Sequence, residues 1–152
     1  MEEFAGDECF AGDTLVDIHI YYRIDKNQSG KAIPRVLTDE EAAKQQADEA
    51  TKGQVRKLET QWLQQSWESS QELYRRSRKY DHETQSERVD GLTLRDSKLK
   101  MCMVGWNIKD KTGADKPCNE HTIAQLHEDL AWALLVKYEN QIAVPAERIE
   151  KN

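Results

Sequence analysis

The stretch TLVDIHIYYRI, Thr14 to Ile24, constrains the fold more than any other part of the chain. Leu15, Asp17 and His19 alternate with Val16, Ile18, Ile20 and then Tyr22, in a run rich in β-branched and aromatic side chains. That two-residue period predicts a strand with one apolar face. Asn27, Ser29 and Gly30 follow as turn residues, and Lys31 to Leu37 supplies a second short strand despite Pro34. A two-stranded hairpin is marginal on its own, so this one has to pack on helices or join another sheet.

Helical patterns dominate the rest. Thr38 followed by Glu41 fits a capping box, and DEEAAKQQADEATK is rich in helix formers with almost no large apolar residue, which predicts a mostly exposed helix. Gly53 interrupts it. The segment QVRKLETQW reads equally as a break, a short strand or more helix. From about Thr60 to Lys79 the spacing predicts a helix, with Leu63, Trp67, Ser70 and Tyr74 along one stripe and Leu58 with Trp62 on a neighbouring one. Arg75, Arg76, Arg78 and Lys79 fall at its end, where cations suit the negative pole of the helix dipole. YDHETQSERVDG has turn residues and charges without an apolar period, and predicts a loop.

Thr93 with Asp96 resembles another helix start, and Leu99, Cys102, Met103 and Trp106 recur at helical spacing, so this face is expected to be buried. Gly105 allows close approach of another backbone, and with Trp106 forms a structural hinge. If the Trp106 ring is fully buried, Trp106→Ala costs about 3–5 kcal/mol. Gly113 and Pro117 mark a polar connection, and Asn119 caps a last helix with Ile123, Leu126, Leu130, Ala133, Leu134, Tyr138 and Ile142 on its stripe, ended by Pro145. The expected architecture is α+β: a mainly helical single domain over residues 1–152 with an N-terminal β-hairpin. The acidic segment 1–13 and the tail 145–152 are expected to be loosely held.

Charge and composition narrow the function classes. A net charge of −6 and a pI near 5.3 disfavour nucleic acid, where phosphates require surplus Lys and Arg. No apolar run approaches a membrane span, and MEEFAGDECF lacks the basic and apolar regions of a signal peptide, so a cytosolic protein is expected. Cys9, Cys102 and Cys118 are an odd number at irregular spacing, which predicts reduced thiols rather than a disulfide framework.

Little points to chemistry. Cys118, His121 and His127 are ligand types that suit zinc, but the two histidines are six apart and fall on different faces of one helix, with no paired ligand motif elsewhere. No metal or cofactor is therefore expected. A Cys-His nucleophile needs a positioned base and a partly exposed, electropositive setting; Cys102 lies in an apolar stripe, and Cys118 with His121 has no assignable third group. His19 and His82 read as solvated residues. There is no phosphate-binding glycine loop or nucleophile elbow, and the many carboxylates are scattered through exposed helical positions. The chain does not read as an enzyme.

One resemblance goes further. The run from Tyr74 to Glu139 contains a helix, a charged D-x-x-T loop at Asp81 to Thr84, and an Asp-led helix ending in VGW. An acidic, glycine-containing turn follows, then a helix beginning NEHTIAQL and continuing DLAWALLVKYE. In these features it resembles the small tail assembly chaperones of tailed bacteriophages, most strongly from Asp90 to Tyr138. The resemblance implies a protein without enzyme activity, working in the bacterial host cytoplasm, that binds the tape-measure and tail tube proteins during assembly. A structural virion component, such as a neck, tail or capsid accessory protein, is the alternative. A chaperone needs apolar surface that is open before binding and covered afterwards, within polar surroundings. Trp62, Trp67, Tyr74 and Trp132 are the candidate partner-binding residues; burial of all four Trp in the core is the competing expectation. Weak self-association into a homo-oligomer, through a strand edge or exposed aromatics, is also expected.

Overall fold

In the computed structural model, residues 6, 10–12 and 14–142 are described. The expectations for most of segment 1–13, for Pro145 and for the tail 145–152 lie outside them. The predicted hairpin forms from β1 (Val16–Lys26) and β2 (Ala32–Leu37), antiparallel, with Tyr21 opposite Leu37 and Lys26 opposite Ala32. Its turn is organised by Asn27, whose Oδ1 accepts from the backbone N–H groups of Ser29 and Lys31, while Gly30 takes a φ of 81° that suits glycine. The Thr38–Glu41 capping box is present at the start of α1 (Asp39–Ala47), and only Ala42 of that helix is buried.

The mainly helical expectation is wrong. The described residues are 41% helical and 29% strand, built on a four-stranded antiparallel sheet that adds β3 (Arg56–Trp62) and β6 (Met103–Trp106) to the hairpin, in the order β2-β1-β3-β6. The segment left open around Gly53 forms a short 3-10 turn (Lys52–Gln54) and then β3 (Arg56–Trp62), an inner strand paired with β1 from Val16 opposite Trp62 to Tyr22 opposite Arg56. Leu58 and Trp62 therefore do not share a helix stripe. Residues four apart also share one face of a strand, and the residue between them, Thr60, is buried with them. Its hydroxyl donates to the Ile18 carbonyl at 2.7 Å and accepts from the Trp62 indole N–H at 2.7 Å, which satisfies the buried polar groups.

Two more helical expectations shorten. The helix expected from Thr60 becomes α2 (Trp67–Ser77), which starts at Ser66, where Ser66 and Ser69 cap each other's backbone N–H. Its inner face is Leu73 and Ser77, so the Leu63, Trp67 and Tyr74 stripe faces outward. The predicted loop at 80–91 is instead a second hairpin, β4 (Arg78–Asp81) with β5 (Ser86–Val89), turning through Gln85 at φ 53°. Almost all of it is exposed, so no apolar alternation marks it. The four cations at 75–79 are each paired: Arg75 and Arg76 with Glu72, Arg78 with Glu87, and Lys79 with Asp90.

The next helix, α3 (Gly91–Cys102), starts one turn earlier than its Thr93–Asp96 signal, because Asp90 caps it by accepting from the Thr93 N–H at 3.0 Å. It stops at Cys102. Met103–Trp106 is strand β6, the edge strand beside β3, with Thr60 opposite Trp106, Gln61 opposite Gly105, and a bulge that brings Met103 opposite Trp62. Asn107 extends this pairing by a side chain: its Oδ1 accepts from the Glu59 N–H and its Nδ2 donates to the Lys57 carbonyl. Asn119 caps a short α4 (Glu120–Ile123) rather than the last helix, and α5 (Glu128–Ile142) begins after a break.

One sheet face, bearing Ile18, Ile20, Leu58 and Trp62, packs with Leu73, Cys102, Ile123, Leu130, Leu134, Leu135 and Tyr138 from the helices. Trp62 stacks on Tyr138 with centroids 4.4 Å apart, and the Tyr138 hydroxyl donates to the Leu63 carbonyl at 2.6 Å. Lys137 of α5 donates both to the His19 carbonyl and to the Asp39 carboxylate, each at 3.0 Å, tying the helix to β1 and to the start of α1. Among the described residues, no helix is long and apolar enough to cross a membrane.

Candidate functional site

Of the four candidate partner-binding residues, the fold withdraws one. Trp62 is fully buried at the sheet centre and cannot contact a partner. Trp67 is 82% exposed, Trp132 is 51% exposed and Tyr74 is also open. Trp67 and Tyr74 share α2, whereas Trp132 lies on α5, so the candidates form two surfaces rather than one.

The Gly105–Trp106 hinge between two helices is replaced by an edge strand. A Cβ on Gly105 would come 2.6 Å from the Gln61 side-chain Oε1, so the close neighbour is a flexible side chain, not the backbone that the sequence suggested. Trp106 is partly buried, and its indole N–H donates to the Lys116 carbonyl at 2.7 Å, so the polar connection does fold back onto it. Within that connection the Asp110 carboxylate accepts from Thr112 and Ala114, and Lys109 pairs with Asp115.

Among the described residues, the thiols and imidazoles do not converge. The Cys118 thiol is directed at the Met103 carbonyl, 3.8 Å away, and His121 is engaged with Gln125. Burial pushes the Cys118 thiol up, and the same cause raises Cys102, so neither is an activated thiolate. No group of three or more His, Cys, Asp or Glu side chains among the described residues is arranged to hold a metal ion. On the outer sheet face, Asp17, His19, Glu59 and Gln61 line a shallow depression of about 320 Å³, where the Glu59 carboxylate is paired with Lys57 at 3.1 Å.

A more apolar open concavity lies elsewhere, between α3 and α5. Leu92 and Leu99 line one wall, and Ala131, Trp132 and Leu135 the other, around a cleft of about 530 Å³. Leu92 is 74% exposed. The Arg95 guanidinium lies over the Trp132 ring, 4.9 Å from its centroid, which holds the indole across the mouth of the cleft. Leu92 and Leu99 are seven residues apart, and so are Glu128 and Leu135 with Trp132 between them, so each wall is one helix face. Among the candidates named from sequence, only Trp132 belongs to this cleft. Leu99 was legible as a helix residue, whereas Leu92 precedes the Thr93 start expected from sequence, and neither was legible as the second wall, because nothing local specifies that α3 lies beside α5. No protein-family model, curated protein or solved structure matches the chain.

Proposed function

We propose that the chain is a non-enzymatic bacteriophage assembly protein of the tail chaperone type, which binds tape-measure and tail tube proteins in the host cytoplasm. The observation that carries this reading is the open α3–α5 cleft with Trp132 at its mouth, inside the Asp90 to Tyr138 segment where the resemblance is strongest. A solvent-exposed tryptophan beside an exposed leucine has no role in the chain's own core, and suits a surface that a partner covers. The raised thiols and the dispersed histidines fit a binding protein better than a catalyst. Weak self-association through exposed aromatics belongs to the same reading, and shows as concentration-dependent sedimentation.

The test is recovery of the tagged protein from infected cells with identification of the co-purifying chains, alongside its copy number in purified particles. Tape-measure and tail tube proteins in the pull-down, with the protein itself absent from particles, are the expected result. Retention in particles at stoichiometric copy number would instead establish the structural virion component.

A further inference from the structure

We infer that the α3–α5 cleft is a helix-docking groove that takes a cationic amphipathic helix. This rests on the reading of the chain as a partner-binding protein and adds where the partner seats and what chemistry it carries. The cleft runs between two helices and has an apolar floor, the geometry in which a third helix lays its apolar face. Its lining runs from Leu92 to Leu99 on α3 and from Glu128 to Leu135 on α5, which at 1.5 Å per residue gives a groove about 10 Å long, enough for about two turns of a partner.

The charges at the rim specify the partner's sign. Asp96, Glu128 and Asp129 line the cleft against a single cation, Arg95, which is already engaged on the Trp132 ring. Asp96 is held by Lys100 at 3.0 Å. Glu128 makes no ion pair among the described residues. The neighbour of Asp129 is His127, whose Nδ1 lies 3.9 Å from the carboxylate; no Lys or Arg among the described residues pairs with Asp129. Glu128 and Asp129 also suit the positive end of α5, which accounts for their place in its first turn. It does not account for the apolar cleft beside them. Two carboxylates with no Lys or Arg partner among the described residues, at the rim of an apolar groove, complement a helix with Lys or Arg flanking its apolar stripe, and the chain's net charge of −6 adds long-range attraction of the same sign.

The probe is a fluorescently labelled Leu/Lys amphipathic peptide of about 18 residues, compared by anisotropy with a Leu/Glu peptide of the same pattern. The Leu/Lys peptide is expected to bind and the Leu/Glu peptide not. Trp132→Ala is expected to weaken binding at least about tenfold, because a central aromatic anchor dominates such contacts. Tyr80→Ala, on the exposed β4–β5 hairpin, should leave it unchanged. Glu128→Lys together with Asp129→Lys should reverse the preference between the two peptides. Circular dichroism on each variant confirms that the fold is retained.

Leu/Lys binding that ignores both Trp132→Ala and Leu92→Ala would reduce the effect to surface charge and overturn the groove. A dimer that Trp132→Ala dissociates, without peptide binding, would make a second copy the occupant and overturn it equally. The two readings fail separately. Tape-measure protein captured equally by wild type and Trp132→Ala defeats the groove and keeps the chaperone; peptide binding with no phage protein captured does the reverse.

Discussion

Trp62 and Trp106 show how burial, not residue type, sets the weight of a side chain. Trp62 is fully buried, stacked on Tyr138 and hydrogen-bonded to Thr60, so Trp62→Ala removes a ring, a stacking contact and the donor to a buried hydroxyl. A loss of about 3–5 kcal/mol is expected, enough to consume much of a small domain's stability. Trp106 is only partly buried and keeps one bond to Lys116, so Trp106→Ala should cost less than that range. Urea denaturation of both variants checks the order. A larger loss at Trp106 would mean that the polar connection, not the sheet centre, anchors the fold. Cys102 and Cys118 follow the same rule: burial, which raises both thiols, makes them packing residues.

At the scale of elements, caps and edges decide where helices begin and end. Asp90 both starts α3 and joins it to the β4–β5 hairpin: it accepts from the Thr93 N–H and hydroxyl and pairs with Lys79 at 3.3 Å, while its own N–H donates to the Ser77 carbonyl. The Thr93 hydrogen bonds, helped by Lys79, hold the Asp90 carboxyl below its ordinary value. A carboxylate whose pKa is depressed on folding contributes stability that is present above its unfolded pKa of about 3.9 and is lost as pH falls through the folded value. Asp90→Asn keeps a good cap but cannot titrate, so its melting temperature should fall less steeply than wild type on acidification below about pH 4. Identical acid limbs in thermal melts would remove Asp90 from that account. The end of α3 is set differently. Its apolar spacing continues to Trp106, but Met103–Trp106 pairs with β3 instead, because that pairing satisfies strand backbone groups which a longer helix would leave at an open sheet edge.

At the scale of the molecule, stability should be graded outward from the sheet centre. β1 and β3 carry the longest shared ladder and the core residues Ile18, Ile20, Leu58 and Trp62, with α5 packed on them through Leu134 and Tyr138. The β4–β5 hairpin contributes no residue to that cluster. Native-state hydrogen exchange should therefore find the slowest amides in β1, β3 and α5 and fast exchange in β4–β5. Uniform protection would show that the hairpin opens only with the whole fold. By itself, the sequence determined the β1–β2 hairpin, the Thr38 cap, the exposed α1, the polar connection after Trp106 and the apolar face of α5, since each is written in a local period or a short capping pattern. Only the tertiary structure decided that Leu58, Thr60 and Trp62 form an inner strand, that VGW is a sheet edge, and that Leu92 meets Trp132 across a cleft. Four-residue spacing fits a helix face and a strand face alike, and backbone pairing between distant segments chooses between them. The cleft likewise exists only where two helices far apart in the chain come to lie side by side.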